Sequence, residues 1–204
     1  MLDKTVPYVS LFMCKKAGTP IPDFPLPEGF RYTFFKDGDE TDWARIEASV
    51  LEFDSEFAAL LFFKENFIPY TEDLHNRCLF IENRGGEKVA TATAWWSHLE
   101  GQCRPWIHWV GTTPMYQGLG LGKSITARAT GLLTELDGDE DIYLKTQTWS
   151  YKAIGIYNTC GFKPTDEKVL YSARKSNYKK ALRVLKRLNQ RGIFRLQLFD
   201  NEGF

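Results

Sequence analysis

The sequence predicts an α/β protein of the α+β kind, with a mixed, mostly antiparallel central sheet flanked by helices. Three observations predict it. The apolar patterns run in the order strand, two helices, three strands, helix, strand, helix and strand. The three consecutive strands are joined by short turns, which favours antiparallel pairing. In residues 88–98, Ala90, Ala92 and Ala94 form a small-residue face on which a helix can lie close to the sheet.

The chain begins with an N-terminal extension over residues 1–29. A candidate strand covers residues 6–13, and four prolines at positions 20, 22, 25 and 27 then predict an extended segment, because proline cannot donate to a strand ladder. The main domain is expected over residues 30–173, followed by a C-terminal helix and tail over residues 174–204.

The elements of the main domain follow from their own patterns. The expected strands cover residues 30–35, 78–81, 88–98, 104–112, 141–149 and 169–172. The expected helices cover residues 42–53, 55–67, 121–136 and 150–159, with a basic amphipathic tail helix at 178–188 and a weaker strand pattern at 193–199. Pro69 begins a loop, Gly85-Gly86 predicts a hairpin turn, and Ser150 is a candidate helix N-cap.

Composition excludes several classes of protein. Apolar residues make up 43% of the chain and charged residues 25%, as in soluble globular domains. The 26 basic residues balance the 26 acidic ones, so charge gives no reason to expect a nucleic-acid partner. No apolar run approaches the roughly 20 residues of a membrane span, and residues 1–16 lack a signal-peptide pattern. A cytoplasmic location is therefore expected, and the oligomeric state is left open, with a homodimer as one option.

The four cysteines predict neither a disulfide framework nor a metal site. Cys14, Cys78, Cys103 and Cys160 are scattered, form no Cys-x-x-Cys pair and have no histidine cluster near them. This pattern is typical of reduced thiols in a cytosolic protein.

A glycine-rich turn between a strand and a helix is the strongest functional signal. It reads Gln117, Gly118, Leu119, Gly120, Leu121, Gly122, Lys123 and Ser124. Glycines let the backbone curl so that successive N–H groups point into one cavity, and the start of the following helix adds partial positive charge. The turn therefore predicts a site for a phosphate or pyrophosphate.

Three interpretations of this turn compete with a fourth. A nucleotide-binding Walker A loop needs a first glycine at position 117, where the chain has Gln117. A methyltransferase loop normally follows the first strand of a doubly wound parallel sheet, whereas three hairpin-like strands precede this one. A helix start with incidental glycines is the third.

The fourth interpretation rests on two motifs in order. Gln-x-x-Gly-x-Gly at residues 117–122, with Pro114 three residues before it, resembles the acyl-CoA motif of the GNAT superfamily of N-acetyltransferases. Residues 150–162, from Ser150 through Tyr157 to Gly-Phe, resemble the family's Asn-x-x-Ala-x-x-Leu-Tyr-x-x-x-Gly-Phe segment. The likeness covers roughly residues 30–173. Two positions depart from the family pattern: Ser150 replaces the usual Asn, and Gln117 replaces the more frequent Arg.

The resemblance implies a GNAT-like sheet, acetyl-CoA as cosubstrate, no metal, and an amine acceptor that is a small molecule or a peptide. It implies that backbone N–H groups of the turn hold the pyrophosphate and that a strand end lies along the pantetheine arm. The residues so implied in cofactor binding are Val110, Gly111, Thr112, Gln117, Gly118, Leu119, Gly120, Leu121, Gly122, Lys123 and Ser150.

Two side chains are candidates for proton transfer. Tyr157 occupies the family's tyrosine position, and a phenol with a pKa near 10 can protonate a departing thiolate. His108 is expected on the same strand face as Trp106, Val110 and Thr112, and it resembles the base of arylalkylamine N-acetyltransferases. The motifs nominate no cysteine nucleophile, so direct attack in a ternary complex is expected. A catalytically silent acyl-CoA sensor is the alternative.

Overall fold

The computed structural model describes residues 2–99, 102–166 and 177–196. A seven-stranded sheet forms its centre, in the order β2-β3-β4-β5-β6-β1-β7. The strands are β1 Ser10–Lys15, β2 Phe30–Phe34, β3 Cys78–Asn83, β4 Lys88–Leu99, β5 Gln102–Thr112, β6 Ile142–Gln147 and β7 Lys163–Thr165. The helices are α1 Glu40–Ser49, α2 Glu56–Asn66, α3 Thr71–Arg77, α4 Leu121–Asp137, α5 Tyr151–Thr159 and α6 Tyr178–Gln190.

The sheet confirms the predicted mixed, mostly antiparallel class. Among the strands that the structure describes, every pair is antiparallel except β5 with β6, which are parallel. That pair is linked through α4, which lies against β3, β4 and β5. The alanines of β4 are fully buried beneath α4, as their small-residue face predicts.

Helices cover both faces of the sheet. One core cluster joins α4, α5 and α6 to one face, with Ile125, Leu133 and Leu185 fully buried. An aromatic cluster joins α1, α2 and α3 to the other face around Trp43, which is also fully buried. Burial of each such side chain contributes about 1.5–3 kcal/mol to folding, so the two clusters fix the sheet between its helices.

The first strand, β1, is an internal strand of the central sheet. β1 pairs with β6 on one side and β7 on the other, and its Leu11 and Met13 are fully buried. The residues expected to form a candidate strand in the N-terminal extension therefore contribute to the central sheet. The proline segment that follows packs its Phe24 and Leu26 against the core.

A loop was expected after Pro69, and this expectation is wrong. Ile68–Tyr70 form a 3-10 turn and α3 follows it at once. Leu74 is fully buried in the aromatic cluster, and Arg77 forms an ion pair with Asp137 whose closest atoms are 2.6 Å apart. Tertiary contacts thus stabilise a seven-residue helix that carries little apolar periodicity of its own.

Two late predictions fall largely outside the described residues. The strand expected at residues 169–172 lies entirely outside the described residues. Of the weaker strand pattern at residues 193–199, only residues 193–196 are described, and they form no strand. α6 confirms the tail helix. Among the helices that the structure describes, none is both long and apolar enough to cross a bilayer.

Candidate active site

A cavity of about 860 Å³ opens where β5 and β6 separate. The register between these parallel strands pairs Trp106 with Tyr143 and Ile107 with Leu144. Beyond that point β6 continues to pair with β1, while β5 continues to pair with β4. The edge of β5 after Ile107 therefore faces the cavity with its backbone groups, and β6 forms the opposite wall.

A β-bulge in β5 sets which side chains face the cavity. Thr91 pairs with Gly111 and Thr93 pairs with His108, so two steps along β4 match three along β5. The extra residue is Trp109, whose φ of 51° lies in the left-handed region. Its indole packs in the aromatic cluster on the α1 side of the sheet.

The bulge overturns the expectation that Trp106, His108, Val110 and Thr112 share one face. Ile107 and Val110 both pack against the cluster of α4 and α5, although three positions separate them. His108 lies beside Trp106 on the other face, with ring centroids 6.0 Å apart. An inserted residue reverses the alternation of a strand, so Val110 and Thr112 lie on the α4 side and His108 does not.

The glycine-rich turn forms the open start of α4. Gly118 and Gly120 have φ values of 85° and 88°, which only glycine adopts without strain, and Gly120 is the N-cap. The N–H groups of Lys123 and Ser124 donate to the Gly120 carbonyl. Within the described part of the chain, the N–H groups of residues 118–122 donate to no protein acceptor. Five successive amides are thus available to an anion, and the predicted role of the Lys123 amide is taken by the helix itself.

Side chains around this turn fix its position. Gln117 donates from Nε2 to the Thr112 carbonyl at 2.9 Å, which ties the turn to the end of β5. Gly122 lies against α5, because a Cβ at this position would be 3.2 Å from Cδ1 of Ile156. Lys123 places its ammonium 5.8 Å from the centroid of the Phe24 ring. The turn is therefore held by three neighbouring segments.

We expect Gly120→Val to weaken coenzyme A binding about tenfold or more. A β-branched residue at φ near 88° is strained by about 1–2 kcal/mol, so the turn shifts and loses charge-assisted amide bonds worth a similar amount each. Isothermal calorimetry with coenzyme A measures the change. Gly131→Ala is the matched control, since this glycine lies within α4 and the nearest atom to an added Cβ is 3.9 Å away. Unchanged affinity in Gly120→Val would contradict the assignment of the turn.

Ser150 occupies the predicted N-cap position of α5 but makes no capping bond. Its hydroxyl accepts a hydrogen bond from Gln147 Nε2 at 3.1 Å, and the same amide nitrogen donates to Glu52 at 3.2 Å. Ser150 lines the cavity, so its hydroxyl lies beside the expected cofactor path.

Tyr157 projects from α5 into the cavity with 8% of its surface exposed. Burial, together with the negative charges of Glu52 and Glu47, raises the pKa of its phenol above the ordinary value of 10. The phenol therefore keeps its proton throughout the neutral range and can donate a hydrogen bond to a negative charge that develops in the cavity.

His108 also lines the cavity, and its environment makes it a weaker base than an ordinary imidazole. Burial lowers the pKa of its imidazole from 6.5 to about 4. Nε2 is buried and has no hydrogen-bond partner among the described residues. At neutral pH His108 is thus an uncharged ring, suited to accept a hydrogen bond but poorly suited to store a proton.

Glu47 is a site residue that sequence reasoning missed. It lies on the buried stripe of α1 with Trp43, Ile46 and Val50, is fully buried, and lines the cavity. Both carboxylate oxygens lack a hydrogen-bond partner among the described residues. Burial, followed by the charge of Glu52, raises the pKa of its carboxyl to about 8. The signal was present in the sequence, since Glu47 is an acidic residue at spacing i+4 from Trp43 on an apolar helix face.

The structure brings most of the sequence-predicted residues together. The cavity is lined by His108, Val110, Thr112, Gln117, Gly118, Gly120, Leu121, Gly122, Lys123, Ser150 and Tyr157. Gly111 and Leu119 are not part of the lining. Gly111 faces α1, and the Leu119 side chain is 49% exposed. The lining also includes Leu2, Tyr8 and Phe12 from the N-terminal segment, which carried no recognisable motif.

The cavity has the chemistry that acetyl-CoA requires. The open amides and the helix start suit a pyrophosphate, and Lys123 and Lys152 add positive charge to the lining. The free edge of β5 offers backbone groups to the amides of a pantetheine arm. Tyr157 places a proton donor in the same cavity. Among the described residues there is no cluster of side chains that could hold a metal ion.

The opened sheet and the glycine-lined helix start together have the architecture of an acetyltransferase. The chain belongs to the Acetyltransferase (GNAT) family, whose sequence model matches residues 40–162. Acetyl-CoA-dependent acetyl transfer is the general reaction of that family. No curated protein sequence matches the chain.

Solved structures show the same fold at low sequence identity. A GCN5-related N-acetyltransferase from Sphaerobacter thermophilus is 21% identical, with a TM-score of 0.61 over 78% of this chain and 49% of its own. The glucosamine N-acetyltransferase region of a fungal multi-domain β-N-acetylglucosaminidase is 14% identical, with a TM-score of 0.55 over 81% and 20%. A GCN5-related N-acetyltransferase from Ralstonia eutropha JMP134 is 18% identical, with a TM-score of 0.52 over 68% and 95%. The chain thus spans about half of the first protein and a fifth of the second.

Proposed function

We propose that the protein is an N-acetyltransferase that moves the acetyl group of acetyl-CoA to a primary amine. One observation carries the proposal: the open amides of residues 118–122 and the buried phenol of Tyr157 belong to the same cavity. The amides suit the cofactor's phosphates, and the phenol is a proton donor for the leaving group. Gln117, Lys123 and Ser150 also line this cavity.

Each step of the proposed reaction is assigned to particular residues of the cavity. Backbone groups of Val110 to Thr112 hold the pantetheine arm along the free edge of β5, and an N–H near Val110 polarises the thioester carbonyl. The uncharged ring of His108 accepts a hydrogen bond from the amine and orients it. Tyr157 gives its proton to the sulfur as the carbon–sulfur bond breaks.

Transfer is direct, with both substrates bound together. Among the described residues, no cysteine lines the cavity. Cys160, on the adjoining helix end, is fully buried in the core, and burial raises the pKa of its thiol to about 11. A thiol in that state is a poor nucleophile at neutral pH. An acyl-enzyme is therefore not needed and has no suitable residue at the site.

The test is consumption of acetyl-CoA in the presence of single amines. The panel contains 2-phenylethylamine, spermidine, glucosamine, an aminoglycoside, and peptides with a free N-terminus or a free lysine. We expect thiol release that depends on at least one amine, with the acetylated amine identified by mass spectrometry. Tight coenzyme A binding without transfer to any amine would contradict the proposal and favour an acyl-CoA sensor.

The remaining expectations belong to the same proposal. The acceptor is a small-molecule or peptide amine, with no nucleic-acid or membrane partner, and the protein works in the cytoplasm. The cavity lining contains the carboxylates of Glu47 and Glu52, which suit an acceptor that arrives as a cation.

A further inference from the structure

We propose that Glu47 is the catalytic base, which takes a proton from the ammonium group of the acceptor and so fixes the acceptor class as cationic primary amines. This inference rests on the proposed acetyltransferase function and names the acceptor subsite of the same cavity.

Glu47 is one of the residues that line the cavity, and its carboxyl group lies against Gly111 near the end of β5. It is fully buried, and neither oxygen has a partner among the described residues. A buried carboxylate without partners costs free energy of folding, so its retention calls for a ligand that supplies the missing hydrogen bonds. An ammonium group supplies up to three N–H donors and a compensating charge.

The lack of a side chain on Gly111 makes room for the carboxyl group of Glu47. A Cβ atom on this residue would lie 2.7 Å from Oε1 of Glu47 and 3.0 Å from Cγ2 of Ile46. The absence of a side chain lets the carboxylate lie directly against the backbone of β5, beside the strand segment expected to hold the thioester. A base is useful only within reach of the attacking nitrogen, and this contact places Glu47 there.

The groups around Glu47 favour proton transfer. Glu52, which is exposed, lines the same cavity as His108 and Tyr157, and the thiol of Cys78 is fully buried in β3. Burial, with the charge of Glu52, raises the pKa of Glu47 to about 8, whereas burial lowers that of His108 to about 4. A base that titrates near neutral pH can both accept and release a proton, which His108 cannot do there.

The proposed reaction removes two protons from the amine nitrogen and replaces the carbon–sulfur bond with a carbon–nitrogen bond. Glu47 takes one proton from the ammonium, and the freed nitrogen lone pair forms the bond to the carbonyl carbon. The electron pair of the carbon–sulfur bond leaves on sulfur, which takes a proton from Tyr157. The nitrogen then loses its second proton, which restores Tyr157 through the cavity, and Glu47 releases its own proton to solvent. The net products are the amide, coenzyme A and one free proton.

The experiment compares Glu47→Gln with wild type on two matched acceptors. The first is the amine of the panel that wild type acetylates fastest, beginning with 2-phenylethylamine. The second is its analogue with two fluorine atoms on the carbon next to the aminomethyl group, which lowers the amine pKa so that far more of it is already neutral. We expect Glu47→Gln to lower kcat about 10²-fold on the first acceptor and much less on the second, with the KM for acetyl-CoA unchanged.

The control is Glu65→Gln, an exposed carboxylate on α2 outside the cavity lining, which should change neither rate. An equal loss on both acceptors would assign Glu47 a structural role and overturn the inference. Full activity of Glu47→Gln on the first acceptor would also overturn it while leaving the acetyltransferase proposal intact. Absence of transfer by wild type to every amine would overturn both together.

Discussion

Tyr157→Phe is expected to lower kcat by about 10²-fold or more, because the substitution removes the proton donor for the departing thiolate. Phenylalanine keeps the ring that packs beside Phe162, at a centroid distance of 6.5 Å, so the helix should remain in place. The KM for acetyl-CoA should change little, since the cofactor's phosphates are expected to bind the amides of residues 118–122 rather than the phenol. Steady-state release of free thiol measures both constants.

Tyr151→Phe is the matched control for this prediction. Tyr151 begins the same helix, is buried, and bonds through its hydroxyl to Asp3 at 3.3 Å, outside the cavity lining. Its variant should keep the wild-type kcat. If Tyr157→Phe also turned over at nearly the wild-type rate, the assignment of the acid to Tyr157 would be wrong.

Glu47→Gln is expected to stabilise the protein by an amount that grows with pH. The carboxyl pKa is about 8 in the folded protein against an ordinary value of 4.5, so the folded state binds the proton more tightly than the unfolded chain. The stability that this proton contributes is complete below pH 4.5 and is lost progressively as the pH rises from 4.5 through 8. The glutamine variant has no such loss, so its advantage should grow to about 3 kcal/mol by pH 7.

Urea unfolding at pH 5, 6, 7 and 8 measures this prediction. The difference in unfolding free energy between variant and wild type should rise by roughly 1 kcal/mol for each pH unit up to pH 7 and level off towards pH 8. Glu65→Gln, which removes an exposed carboxylate, should follow the wild-type curve. Parallel curves for Glu47→Gln and wild type would show that the carboxyl of Glu47 is not perturbed. A group that lowers stability at neutral pH is typical of a functional site.

Much of the fold could be predicted from local patterns, and the exceptions have tertiary causes. Hairpin turns, helix stripes and the alternation of β4 each depend on neighbouring residues, and these predictions were confirmed. α3 depends instead on the burial of Leu74 and the ion pair of Arg77 with a residue sixty positions away. The place of β1 between β6 and β7 depends on pairing with strands more than 120 residues later. Patterns within a short window cannot contain either cause.

The site could be predicted only where its chemistry is carried by backbone. The glycines at positions 118 and 120 indicate positive φ values from the sequence alone, because other residues avoid that conformation. The bulge at Trp109 cannot be predicted from the sequence, since tryptophan is an ordinary strand residue. For this reason the predicted strand face of His108 was wrong. Glu47 was overlooked because a single acidic residue in a helix is usually exposed, and only the packed structure shows that its oxygens are buried and unpartnered.

A structure of the protein with coenzyme A bound tests the central claim most directly. We expect the pyrophosphate oxygens within hydrogen-bond distance of the N–H groups of residues 118–122, the pantetheine arm along β5 after Ile107, and the sulfur beside the Tyr157 hydroxyl. Coenzyme A bound elsewhere, or bound with its sulfur remote from Tyr157, would contradict the account.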